Sequence, residues 1–198
     1  MMIARVPESD GGVPLVMAVS LSESKRHCNV YHANDDDLIT AMIRVAQSHM
    51  EGHDGTGGTL GRAVSQHTLD LKFERWPANR AMALPHPPLV SVTSIKYLDI
   101  AGVEQTFPAI NYHVVSDTIS GFVRLKSQAN WPSLDIAPDA VRVRFVAGPS
   151  ECPVDLKHAM LLHVGHLYLN REAVGETTSM LPFAYKALTD PHKTHGWI

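Results

Sequence analysis

"VRVRFVAGPSECPVDLKHAMLLHVGHLYL", Val141 to Leu169, changes its hydrophobic period part-way along. Over the first seven residues Val141, Val143 and Phe145 alternate with Arg142 and Arg144, the period-two pattern of a strand with one buried and one wet face. From Pro153 the period is 3.6. Proline suits the first turn of a helix, and apolar residues then recur every three or four positions to about Ala173. A strand and a helix therefore adjoin across a short connection, which places the chain in the α+β class.

Upstream of Val141 the period-two pattern persists back to about Arg62. Leu69, Leu71 and Phe73 alternate with Asp70, Lys72 and Glu74. "LVSVTSIKYLD" follows "LPHPP", whose prolines suit a linker or an edge. Its apolar phase slips from Val90 and Val92 to Ile95 and Tyr97, which predicts a bulge near Thr93. "AGVEQTF", "YHVV" and "GFVRLK" continue in short strands, about six in all, so one antiparallel β module is expected over residues 62–148.

Before Arg62 the helical period returns. "SLSE", Ser20 to Glu23, is a capping box that starts a helix running to about Val30. "NDDD", Asn34 to Asp37, supplies caps and negative charge to a second helix. Leu38, Ile39, Met42, Ile43, Val45, Ala46 and Met50 form its apolar stripe, and Gly52 ends it. The glycines of "HDGTGGTLGR", His53 to Arg62, fit neither phosphate-loop spacing, and they follow a helix and precede a strand, the reverse of a phosphate loop. They read as a connector. The expected organisation is a loose N-terminal arm with two helices over 1–61, the inserted β module over 62–148, a third helix completing a three-helix core over 149–175, and an extended C-terminal tail over 176–198.

Composition sets limits on function. The 198 residues are 44% hydrophobic and 19% charged, with a formal charge of −3, so nothing predicts general affinity for nucleic acid or anionic membrane. Two cysteines are too few for a disulfide framework and fit a reducing compartment. With no signal-peptide pattern and no apolar run of about 20 residues, a soluble chain made in the cytoplasm is expected, without membrane partners.

Twelve histidines raise the question of a metal. In "HAMLLHVGH", His158 and His163 stand roughly 140° apart around a helix, and only His163 and His166 share a face. A metal-dependent hydrolase would need a distant carboxylate as third ligand. No nucleophile signature occurs, and Cys28 has no activating neighbour. Arg124, Lys126, Arg142 and Arg144 offer a second alternative, a basic face for DNA, although alternation in a half-exposed sheet already accounts for them. No enzyme, cofactor or metal is expected. The residues point to assembly: Ala159, Leu162, His166 and Ala173 follow one face of the third helix, and Met160, Val164 and Leu167 its neighbour, so more than half the circumference is apolar.

The order of segments from Pro14 to Val174 resembles the head–tail connector (adaptor) proteins of tailed bacteriophages, prophages and gene transfer agents. The stretches that carry it are "SLSESKRHCNV", "DDDLITAMIRVAQSHMEGHDG", "LPHPPLVSVTSIKYLD", "WP" at Trp131, "VRVRFVAG" and "PVDLKHAMLLHVGHLYLNREAV". The resemblance implies a structural virion protein at the neck of the particle, made in the bacterial cytoplasm. It implies a closed ring, usually twelvefold, beneath the portal, with a stopper or tail-terminator protein as a further partner and DNA passing through the lumen. Leu162, His166 and Ala173 are then the expected subunit-packing residues. His195, Trp197 and Ile198 are the expected portal-docking residues, on a tail ordered by its partner.

Overall fold

A computed structural model describes residues 2–6, 17–52, 58–171 and 183–194. It divides into a β unit and a helical unit. The β unit gathers Gln66–Pro149 and the N-terminal strand β1 (Met2–Arg5). A five-stranded sheet runs β1-β2-β8-β4-β5, with β2 His67–Phe73, β4 Leu89–Leu98, β5 Glu104–Thr106 and β8 Val141–Ala147. A three-stranded sheet runs β3-β7-β6, with β3 Ala81–Leu84, β6 Tyr112–Ser116 and β7 Gly121–Leu125. Every pairing is antiparallel.

The inner faces of both sheets share one core. Leu71, Ile95, Val141, Val143 and Phe145 come from the larger sheet, and Met82, Val123 and Leu125 from the smaller. Val141, Val143 and Phe145 are fully buried, as their alternation requires. An aromatic cluster closes the core's margin: Trp76 stacks on Trp131 at 4.4 Å, Phe107 lies 5.3 Å from Trp131, and the Trp76 indole donates to the Pro132 carbonyl at 2.9 Å.

Two details differ from expectation here. The N-terminus begins not as a loose arm but as β1, with Met2 opposite Lys72 and Arg5 opposite Leu69. Four residues are too few to display a period, yet they pair the otherwise open edge of β2. The phase slip in β4 is two register shifts, one between Leu89 and Ser91 and one between Val92 and Ser94. Each inserts one unpaired residue, so Val90 is turned out to solvent and Ile95 returns to the core.

The helical unit holds α1 (Leu21–His27), α2 (Asp36–Glu51), α3 (Val154–Leu169) and α4 (Phe183–Thr189). The Ser20–Glu23 capping box forms in full: the Ser20 hydroxyl accepts from the Glu23 amide, and the Glu23 carboxylate accepts from the Ser20 amide at 2.7 Å. Ile39, Ile43, Ala46 and Met50 of α2 meet Leu156, Ala159, Met160 and Val164 of α3 in a core that also takes Val19, Val30, Leu60 and Val64.

The 58–61 turn folds back on the end of α2. The amides of Thr59 and Leu60 donate to the carbonyls of His49 and Met50, which the last helical turn leaves without partners. Gly58, at φ +47°, comes so close that a Cβ there would stand 2.2 Å from the Gly52 nitrogen. Residues 62–65 continue in this unit rather than opening the β module.

The three-helix core is corrected to four, and the extended tail with it. Over Phe183–Thr194 the chain forms α4 and a 3₁₀ turn, Asp190–His192, and α4 packs on α3. "FAYKALT" spans two turns, below the length at which periodicity separates a helix from a tail. Its burial depends on long-range partners.

Candidate functional site: the surfaces and clusters of the helical unit

On α3 the buried face is Leu156, Ala159, Met160, His163 and Val164. Leu162 and His166, the residues expected at a subunit contact, are half-buried at the margin of that face, and Ala173 lies outside the described residues. Of the face expected for subunit packing, Ala159 is fully buried in the unit's own core, together with Met160 and Val164 of the neighbouring face. Leu169 and Val154 are well exposed on the same helix. The apolar stripe of α2 is split likewise. Ile39, Ile43, Ala46 and Met50 face inward, while Leu38, Ala41 and Val45 form a row on the opposite, exposed side. Among the described residues, each helix therefore carries one apolar face buried within the unit and further apolar side chains that are left exposed.

The first turn of α2 is anchored rather than capped. Asp35 holds the N-cap position, but its side chain makes no capping bond. Its carboxylate accepts from the Tyr168 hydroxyl at 2.6 Å and from Arg171 at 3.2 Å, and the Arg171 guanidinium lies 4.4 Å over the Tyr168 ring. The hydrogen bond from Tyr168, with Arg171 nearby, holds Asp35 below the usual carboxylate range. Asp36 pairs with Lys25 at 2.6 Å. Acidic residues that read as caps in the sequence thus tie α2 to α1 and α3.

The histidines resolve into packing pairs. His49 and His163 meet edge to face at 5.1 Å, with the Tyr185 ring 5.6 Å from His163, and His27 meets His158 at 6.3 Å. His27 also rests on Gly165, where a Cβ would approach its ring to 3.2 Å. Burial first, then His49 and His166, push His163 down to about 4, so it is neutral at neutral pH. Its Nδ1 is buried without a hydrogen-bond partner. His166 faces Asn170 instead, at 3.3 Å. Among the described residues no three His, Cys, Asp or Glu side chains converge on a point that could hold a metal.

The four basic residues of the β unit do not share a face. Arg124 points outward from β7 and Arg144 from β8, strands of different sheets on opposite sides of one core. Arg144 is bound by Asp70 through two bonds of 2.8 and 2.9 Å. Exposed apolar residues are more prominent there: Ile100, Ile110, Ile119 and Ile136 stand out on the loops.

Sequence reasoning missed the buried polar centre of the helical unit. Glu51, only 2% exposed, accepts from the amides of Val64 and Ser65 at 2.8 and 3.0 Å and from Gln47 at 3.3 Å. A glutamate in the last turn of a helix reads as solvent-facing, and its partners lie thirteen residues on. It missed the closure of the C-terminal segment too. Thr194 donates from its amide to the Leu60 carbonyl at 2.8 Å and from its hydroxyl to the Gly61 carbonyl at 2.8 Å. Gly61, at φ +68°, would set a Cβ 2.7 Å from the Thr194 hydroxyl. His195, Trp197 and Ile198, the expected docking residues, lie outside the described residues.

No protein-family model matches the chain, and no curated protein matches it in sequence. Its fold does recur among solved structures. The architecture is that of chains found in the neck and virion of gene transfer agent particles. One is from the virion of a native gene transfer agent particle, with a TM-score of 0.77 and 23% identity. A second is from the neck of an empty particle in C6 symmetry, at 0.73 and 24%, and a third from the neck of a native particle in C12 symmetry, at 0.70 and 22%. Each match covers 100% of this chain and 98% of the other. At these identities the likeness is one of fold.

Proposed function

We propose that the chain is a structural subunit of a virion or gene-transfer particle: a head–tail connector (adaptor) that forms a ring at the neck, beneath the portal, and carries the tail. The observation behind this reading is the likeness in fold to neck chains over the whole of the given sequence. The unsatisfied outer faces of α2 and α3 support it, since a ring subunit presents two different patches to its two neighbours. Leu162 and His166, with Ala173 beyond Arg171, are the proposed subunit-packing residues. The ring is twelvefold, its neighbours are the portal and a stopper or tail-terminator protein, and His195, Trp197 and Ile198 dock to the portal as an aromatic and aliphatic anchor. DNA passes through the lumen without sequence-specific contact, as suits a chain of net charge −3. Its role is mechanical rather than enzymatic.

Removing the chain from a producing cell tests the reading. Heads filled with DNA but lacking tails should accumulate, and supplying the chain in trans should restore tailed particles. Tailed, infectious or transducing particles made without the chain would refute it.

A further inference from the structure

We propose that the segment from Phe183 to Thr194 is an acid-released strap, held closed over the helical unit by neutral His163 and opened when that imidazole takes up a proton. The strap is tied at two places, with a buried residue between them. The Tyr185 ring is buried against His163 at 5.6 Å and lies 6.4 Å from His49. Between the two ties Thr189 is buried, its hydroxyl donating within the segment to the Tyr185 carbonyl at 3.0 Å. Thr194 closes the end on Leu60 and Gly61. Of these ties the first contains the titrating ring, and it lies where α2, α3 and α4 meet.

The groups around His163 leave a proton on it without compensation. From α2 it faces His49, from α4 Tyr185, and along its own helix His166. The charged groups acting on it are both histidines, His49 and His166, and neither offers a counter-charge. Glu51 of α2 turns its carboxylate to the amides of Val64 and Ser65, and α1 sets its own His27 against His158. The buried Nδ1 has no acceptor in reach. A cation there lacks both water and a counter-charge, the arrangement that proteins tolerate least. The opposite tendency is the pair His192–Asp155, 3.3 Å apart, which protonation would strengthen. Asp155 is largely exposed, so that gain is screened and small.

The direction and size follow from linkage. Closed, His163 titrates at about 4 against 6.5 for an exposed imidazole, so the open form binds more protons between those values. Closure is at full strength above about pH 6.5 and weakens as the pH falls toward 4. Between pH 7.5 and pH 5 the open population should rise, with about 30-fold as the ceiling reached if opening frees His163 fully.

Hydrogen exchange of the purified full-length chain, read by mass spectrometry and corrected for intrinsic exchange rates, tests this. Peptides spanning 183–194 should lose protection, by up to about 30-fold, between pH 7.5 and pH 5, while β2 and β8 keep theirs. His163→Phe, or His163→Leu where the larger ring does not fit, should flatten that profile. His49→Gln, at an exposed position, removes a repelling neighbour and should move the opening to lower pH. Unchanged protection of 183–194 down to pH 5 would overturn the proposal. So would loss of protection in α2, α3 and α4 together, an identical profile in the neutral His163 variants, or no shift in His49→Gln.

Discussion

Glu51 shows how a single side chain fixes a connection between elements. Its carboxylate is buried at the end of α2 and receives the amides of Val64 and Ser65, so the chain leaving the glycine-rich turn is held at a defined point. Glu51→Ala would leave two buried donors without acceptors, at a cost of about 3 kcal/mol. Glu51→Gln keeps one acceptor oxygen and should lose less. Urea denaturation of both variants checks the order, and an alanine variant as stable as the parent would contradict it. Neither Glu51 nor Gly61 was legible in the sequence as a structural centre. Their partners lie at long range, in residues 64–65 and at Thr194, and no local pattern encodes such a pairing.

Among the elements, α3 separates what folds the subunit from what is left for a neighbour. Leu156 is fully buried, whereas Leu162 is half-buried on the adjoining face. Leu156→Asp places an unpaired charge in the core and should cost several kcal/mol, enough to unfold the helical unit. Leu162→Asp should leave circular dichroism and melting close to those of the parent while blocking entry into particles. A Leu162→Asp chain that unfolds as Leu156→Asp does, or one that assembles normally, would contradict this division of the helix. Elements with a clear period or cap were readable in advance: the Ser20–Glu23 box, the inward stripe of α2, and the alternation of β2 and β8. The short ones were not. Four residues in β1, four in β3 and seven in α4 are each stabilised by what they pair with or pack on rather than by their own pattern. Burial also divides the α2 stripe in a way hydrophobicity cannot, because Leu38 and Ile39 look alike until a partner covers one of them.

The molecule as a whole joins an eight-stranded β unit to a four-helix unit among its described residues, and each unit closes a core of its own. Large apolar side chains remain uncovered on both: Leu38, Val45 and Leu169 on the helices, and the loop isoleucines on the sheets. Isolated apolar side chains are ordinary on a surface, but a contiguous row such as Leu38, Ala41 and Val45 on one helix face is what a ring neighbour would cover. Chains of like fold occur in the neck and virion of gene transfer agent particles, and the proposed ring would cover that surplus. Electron microscopy of particles from cells expressing this chain, resolved at the head–tail junction, tests the central claim most directly. A closed ring of this chain should stand between portal and tail, with the outer faces of α2 and α3 buried between neighbouring subunits. A junction built without the chain, or the chain found elsewhere in the particle, would contradict it.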